Sequence, residues 1–149
     1  MKIIVDTNIV FSGILNSNSQ IGKILINSNE HFEFYSCDFL KTEILKHRAK
    51  LLKLTELAED ELNELETYIT SRITFINAGI IPRKELILSR ELVSDIDVYD
   101  VPFVALTKFL KGKLWSGDKV LLKGLRAKKF RNTITTQELS KLFDDYERK

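Results

Sequence analysis

The sequence predicts an α/β fold, a three-layer α/β/α sandwich around a parallel sheet of about five strands. Two observations predict it. Short β-branched or aromatic runs are separated throughout by longer stretches with helical spacing, and that alternation builds a parallel sheet covered by helices. No repeat, low-complexity segment or Pro/Gly-rich linker divides the 149 residues, so one domain spanning 1–149 is expected.

The first strand is IIV at 3–5, a run with no polar position that suits burial on both faces. Ile14, Ile21, Ile24 and Leu25 mark an apolar helical face, with Asn16 to Ser19 as a loop before a helix starting near Gln20. FEFYS at 32–36 is the second strand. Ser36 or Asp38 is a candidate cap for the next helix, in which Phe39, Leu40, Ile44, Leu45 and Leu51 or Leu52 recur at helical steps. Thr55 is expected to open another helix, with Leu62, Leu65 and Ile69 inward and an acidic outer face.

ITFI at 73–76 is the third strand, followed by a break at AGIIP and a short helix from about Arg83 to Val93. SDIDVYD then leads into PFVALTKFL, where Pro102 suits a first helical turn and Asp97 its N-cap. KLWS at 113–116 and NTIT at 132–135 are the last strands. Thr135 and Glu138 have capping-box spacing ahead of a terminal helix of about 139–147.

Composition narrows the setting. The apolar start is interrupted at Asp6, short of a signal peptide's h-region of about 7 to 15 residues, and no stretch approaches the roughly 20 apolar residues of a membrane span. Cys37 is the only cysteine, so no internal disulfide forms, and a reducing, cytoplasmic location is expected without membrane association. Lys+Arg 23 against Asp+Glu 21 leaves a net charge of +2, which neither favours nor excludes a nucleic-acid partner. Charge is nevertheless polarised: ELAEDELNELE at 56–66 has no basic residue and KVLLKGLRAKKFR at 119–131 no acidic one.

In a parallel sheet, ligands collect beyond the carboxyl ends of the strands where strand order reverses. Asp6 and Asp118 each follow an apolar strand run, Glu43 lies early in the helix after FEFYS, and Asp100 starts the helix before the fourth strand. Two carboxylates about 5 Å apart repel by roughly 3 kcal/mol at an effective dielectric of about 20. A divalent cation removes that cost, and oxygen-only ligands select Mg²⁺ or Mn²⁺. Such a site suits in-line attack of water on a phosphodiester.

These residues resemble those of the PIN-domain nucleases, including the VapC-like toxins of toxin-antitoxin pairs, and the resemblance runs from end to end. VDTN is similar to the family's opening aspartate motif, Glu43 in FLKTEIL to its helix glutamate, Asp100 in YDVPFVALT to its third acid and Asp118 in WSGD to its fourth, with Ser116 where the family has Thr or Ser. The resemblance implies a Mg²⁺- or Mn²⁺-dependent endoribonuclease. Asp6, Glu43, Asp100 and Asp118 would be catalytic, the three aspartates would ligate metal, and RNA would be the substrate. A cognate antitoxin and a homodimer are its implied partners. The third acid lies within DIDVYD, so Asp95 or Asp97 could replace or supplement Asp100.

Each residue also has a plainer reading. Asp6 with Asn8, or Asp118 after Gly117, could simply form strand-end turns, and Glu43 could be a solvated helical charge. As site residues, Asn8, Ser116 and Asp97 would orient the acids or a water. The basic run is either a solvated face or an RNA-attracting surface made by Lys119, Lys123, Arg126, Lys128, Lys129 and Arg131. His47 shares a helix face with Glu43 and is expected at the surface; Cys37 is expected buried and Trp115 packed beside its strand. Two other functions compete: a PIN fold that binds RNA or protein without cutting, and a haloacid-dehalogenase-type phosphatase. The phosphatase wants a second acid two residues after the first, where this chain has Asn8.

Overall fold

The structure, a computed structural model, describes residues 1–149 apart from the side chain of Val98. Five strands, β1 (Lys2–Val5), β2 (Glu33–Cys37), β3 (Ile73–Ile76), β4 (Lys113–Trp115) and β5 (Thr133–Ile134), form one all-parallel sheet in the order β3-β2-β1-β4-β5. The α/β sandwich expected from the sequence is present, although β2 begins one residue later than FEFYS and the last two strands are shorter. From β1 the chain steps outward to β2 and β3, then returns to the far side of β1 as β4. Strand order therefore reverses between β1 and β4, which is where such sheets open a crevice.

The helices are α1 (Thr7–Leu15), α2 (Gln20–Asn27), α3 (Phe39–Lys46), α4 (Arg48–Thr55), α5 (Glu59–Ser71), α6 (Arg83–Val93), α7 (Val101–Leu110), α8 (Lys119–Ala127) and α9 (Thr136–Glu147). They divide between two cores because alternate residues of a strand face opposite ways. Ile3, Val5 and Trp115 join Ile9, Ile14, Leu25, Leu62, Ile69 and Leu139, drawn from α1, α2, α5 and α9. Ile4 and Leu114 join Val93, Phe103, Leu106, Leu121 and Leu125, drawn from α6, α7 and α8. Cys37 and Trp115 are buried as expected, and the Trp115 indole N–H donates to Thr136 Oγ1 at 3.0 Å.

Several element ends differ from expectation. The helix expected through Leu51 or Leu52 breaks at His47 into α3 and α4. Thr55 closes α4 instead of opening α5: its hydroxyl donates to the Leu51 carbonyl at 2.7 Å, within the helix it ends. Neither proposed cap of α3 acts as one. Ser36 instead donates across the sheet to the Val5 carbonyl at 2.7 Å, and Asp38 makes no side-chain cap. Asp97 does not cap α7; its Oδ1 accepts from the Tyr99 N–H at 3.0 Å and starts a 3-10 turn over Val98–Asp100. The Thr135–Glu138 capping box forms with both bonds at 3.1 Å, and α9 begins at Thr136, three residues earlier than expected.

Helix α7 ends in paired bonds from Gly112 N–H to Thr107 O and from Lys111 N–H to Lys108 O. The left-handed residue of this motif is Lys111, with φ of 56°. Gly112 is required for a different reason. A Cβ there would stand 2.6 Å from Ile4 Cδ1 and 2.7 Å from the Lys2 carbonyl oxygen, against the neighbouring central strand. Gly112→Ala is therefore expected to cost about 1–3 kcal/mol through overpacking. Gly117→Ala, whose added carbon meets nothing within 4 Å, should lie well below that. Urea-unfolding midpoints of the two variants check the contrast, and equal midpoints would contradict it.

Candidate active site

The parallel register sets Val5 opposite Trp115, so the chain leaves β1 and β4 side by side at one edge of the sheet. Both exits turn directly into helices capped by the acids in question. Asp6 Oδ1 accepts the Ile9 N–H at 3.0 Å, opening α1, and Asp118 Oδ1 accepts the N–H groups of Val120 and Leu121 at 3.0 and 3.1 Å, opening α8. The plainer reading of these residues therefore holds in the form of helix caps, and capping fixes each carboxylate at the start of its helix. Ser116 is buried between them. Its Oγ accepts the Asp118 N–H at 3.1 Å, and its hydroxyl favours the charged form of Asp6.

A cleft of about 440 Å³ opens beside this edge. Asp6, Asn8, Glu43, Asp97 and Asp100 line it, against an apolar wall that includes Phe11, Phe39 and Phe103. Asp118 borders a second hollow of about 300 Å³, with Ser12 and Gly117, and Asn8 lines both. Four of the sequence-predicted residues therefore share one cleft with Asp6, while Asp118 stands across Asn8 from them.

The electrostatics are unbalanced. Burial, and after it the charges of Asp97, Asp6 and Asp118, together push the Asp100 carboxyl up to about 7. Asp100 Oδ2 is buried with no hydrogen-bond partner. Burial also raises Asp6, opposed by Ser116 and by the backbone N–H groups of Ile9 and Asn8, with Asp118 adding to the rise. Among the described residues, no three His, Cys, Asp or Glu side chains are already arranged to hold a metal ion. The donor set nevertheless fits one: all are oxygens, one buried oxygen is unpartnered, and repulsion between the acids would be relieved by a hard divalent cation.

A family model for the PIN domain matches residues 4–139. The chain belongs to the PIN domain family. PIN domains are generally nucleases, that is hydrolases, and usually use divalent metal ions. Among curated proteins none matches the chain. Among the described residues no helix is long and apolar enough to cross a membrane.

Within this PIN domain the basic run forms the helix α8, as far as Ala127, and the turn that follows it, and Leu121, Leu122 and Leu125 face inward. Two of its proposed RNA contacts are committed elsewhere. Arg126 pairs with Glu138 at 3.4 Å and donates to Thr133 Oγ1 at 3.3 Å. Lys128 pairs with Asp95 and donates to the Leu92 carbonyl at 2.7 Å, tying α8 to the end of α6. That pairing holds the Asp95 carboxyl below its usual range, and Asp95 does not line the cleft, whereas Asp97 and Asp100 do. Lys119, Lys123, Lys129 and Arg131 are exposed. Lys129 and Arg131 lie beyond the end of α8, whereas Lys119 and Lys123 lie in its first turns, next to Asp118.

Beyond the predicted site residues, His47, Lys46 and Tyr99 also line the cleft. His47, expected at the surface on one helix face with Glu43, has its side chain 41% exposed, its Nε2 3.6 Å from Glu43 Oε2 and its ring edge-on to Phe11 with centroids 5.6 Å apart. Its i,i+4 relation to Glu43 was the available signal. Lys46 and Tyr99 line the same cleft and carry no pattern that distinguishes them from other surface residues.

Asp100 yields a pH dependence. In the metal-free folded chain its carboxyl keeps a proton up to about pH 7, whereas the unfolded chain releases it at about pH 4. The folded state binds more protons between those values, so this group's contribution is full below about pH 4 and is lost as pH rises to about 7. Asp100→Asn is expected to remove that component of the decline. Urea unfolding in chelator across this range measures it, and an identical decline in the variant would contradict the account.

Proposed function

We propose that this PIN domain is a metal-dependent endoribonuclease that hydrolyses RNA phosphodiesters. The observation that carries the proposal is the unpartnered buried oxygen of Asp100 among the carboxylates of Asp97, Asp6 and Asp118, at the edge where strand order reverses. Asp6, Asp100 and Asp118 would hold Mg²⁺ or Mn²⁺. When bound, the ion supplies positive charge to a phosphoryl oxygen and to the departing oxygen.

The chain's own groups do the rest. Glu43, with Oε2 facing His47, takes a proton at Oε1 from the water that attacks phosphorus. One P–O bond forms to that water, one ester P–O bond breaks, and the proton passes to the departing oxygen through solvent. Asn8, between the two hollows, and Ser116, between Asp6 and Asp118, orient these groups. Exposed Lys119 and Lys123, nearest to Asp118 along α8, draw the RNA backbone towards the cleft.

The finer role we assign is the toxin of a toxin-antitoxin pair, acting in the cytoplasm and held by an antitoxin, with a homodimer as the assembly. The likeness of VDTN, Glu43, YDVPFVALT and WSGD to VapC-like toxins supports it. A small DNA-binding-like reading frame abutting this gene is the expected companion, and its absence would count against the role.

Asp6→Asn is the direct test of the chemistry, because asparagine still caps α1 and the fold should persist. Cleavage of RNA with Mg²⁺ or Mn²⁺ is expected to fall by at least about 100-fold, with circular dichroism unchanged. Retained metal-dependent cleavage would sink the assignment. Replacing Lys119 and Lys123 by alanine should flatten the salt dependence of RNA binding by about 0.7 for each phosphate that is no longer neutralised. Lys128→Ala should leave that slope alone and lower the unfolding midpoint instead; the reverse pattern would refute this division of roles.

A further inference from the structure

Tyr99 is 80% exposed, the most open of the large apolar or aromatic side chains among the described residues, yet it lines the cleft that holds the acids. Its backbone is not loose. The Tyr99 N–H is held by Asp97 Oδ1 at 3.0 Å, and the next N–H, that of Asp100, by the Asp97 carbonyl at 3.1 Å. Among the described residues no aromatic ring packs on Tyr99. Lys46, the last residue of α3, lines the same cleft, is exposed, and among the described residues pairs with no carboxylate. An acidic cleft thus carries at its rim one rigidly mounted free aromatic face and one uncommitted cation.

A nucleotide chain offers a partner for each: a flat base for the ring and a phosphate for the ammonium. We propose that Tyr99 stacks a base beside the scissile phosphate and Lys46 holds a neighbouring phosphate, so that together they position the strand over the acids. This rests on the nuclease reading and adds two positioning residues to it. The Asp97 carboxylate has a defined part here, since it fixes the turn that presents Tyr99. Stacking is indifferent to base identity, so the pair demands that a base be present without choosing which one.

The test uses the full chain carrying Asp6→Asn, which binds without cutting, with oligouridylate and the same strand bearing abasic riboses as probes. Removing the stacked base should weaken binding about tenfold. Tyr99→Ala should weaken binding of the complete strand by a similar factor and abolish the difference between the strands, while Tyr99→Trp restores both. Lys46→Ala should lower the salt slope by about 0.7 and leave the abasic difference intact. If Tyr99→Ala discriminates the two strands as the Tyr99 protein does, or Lys46→Ala leaves the slope unchanged, the proposal is overturned. If the unmodified chain cleaves RNA alongside that result, the nuclease reading survives it. If the unmodified chain neither binds nor cleaves RNA, both are overturned.

Discussion

Parallel pairing of β1 with β4 brings two segments more than a hundred residues apart out of the sheet at one point, and the rest of the site hangs on that pairing. With Val5 opposite Trp115, Asp6 and Ser116 follow at the same level, and Asp118 is two residues further on. The strands can do this because both are sealed on each face: Ile3, Ile4, Val5, Leu114 and Trp115 are all fully buried. A slip of one residue would exchange the two cores and move Asp6 away from Ser116. Gly112, just before β4, lies so close to Lys2 and Ile4 that a Cβ there has no room.

That geometry creates a conflict which the fold resolves only in part. The backbone N–H of Ile9 and the Ser116 hydroxyl favour the charged form of Asp6, yet burial raises Asp6 and Asp100 alike. Among the described residues Asp100 has no capping duty through its side chain, no basic partner and one orphaned oxygen. A fold selected for stability alone would not keep this arrangement, and a divalent cation is the simplest agent that relieves it.

Much of this was legible in the sequence because local and long-range signals agreed. IIV suits a strand buried on both faces and strand-helix alternation points to a parallel sheet, so Asp6 and Asp118 were placed at its carboxyl edge; that they meet there depended on β1 and β4 being neighbours, which the structure shows. What remained hidden depended on side-chain partners from distant segments. Lys128 and Arg126 read as free cations in a basic run, but Asp95 and Glu138 claim them. The break at His47 and the late start of α5 escaped because apolar spacing continues across both positions, and spacing alone carries no end signal. Lys46 and Tyr99 have no motif at all; only their shared cleft distinguishes them.

The central claim is that the carboxylates at the β1–β4 edge are held together in want of a cation. It is tested most directly by the melting temperature of the full chain, above the pH at which Asp100 ionises, as Mn²⁺ or Mg²⁺ is titrated. A cation bound by the folded state alone raises that temperature in step with its concentration, and the rise should be lost in Asp100→Asn. A melting temperature that does not respond to either metal, or that responds equally in the variant, would contradict the account.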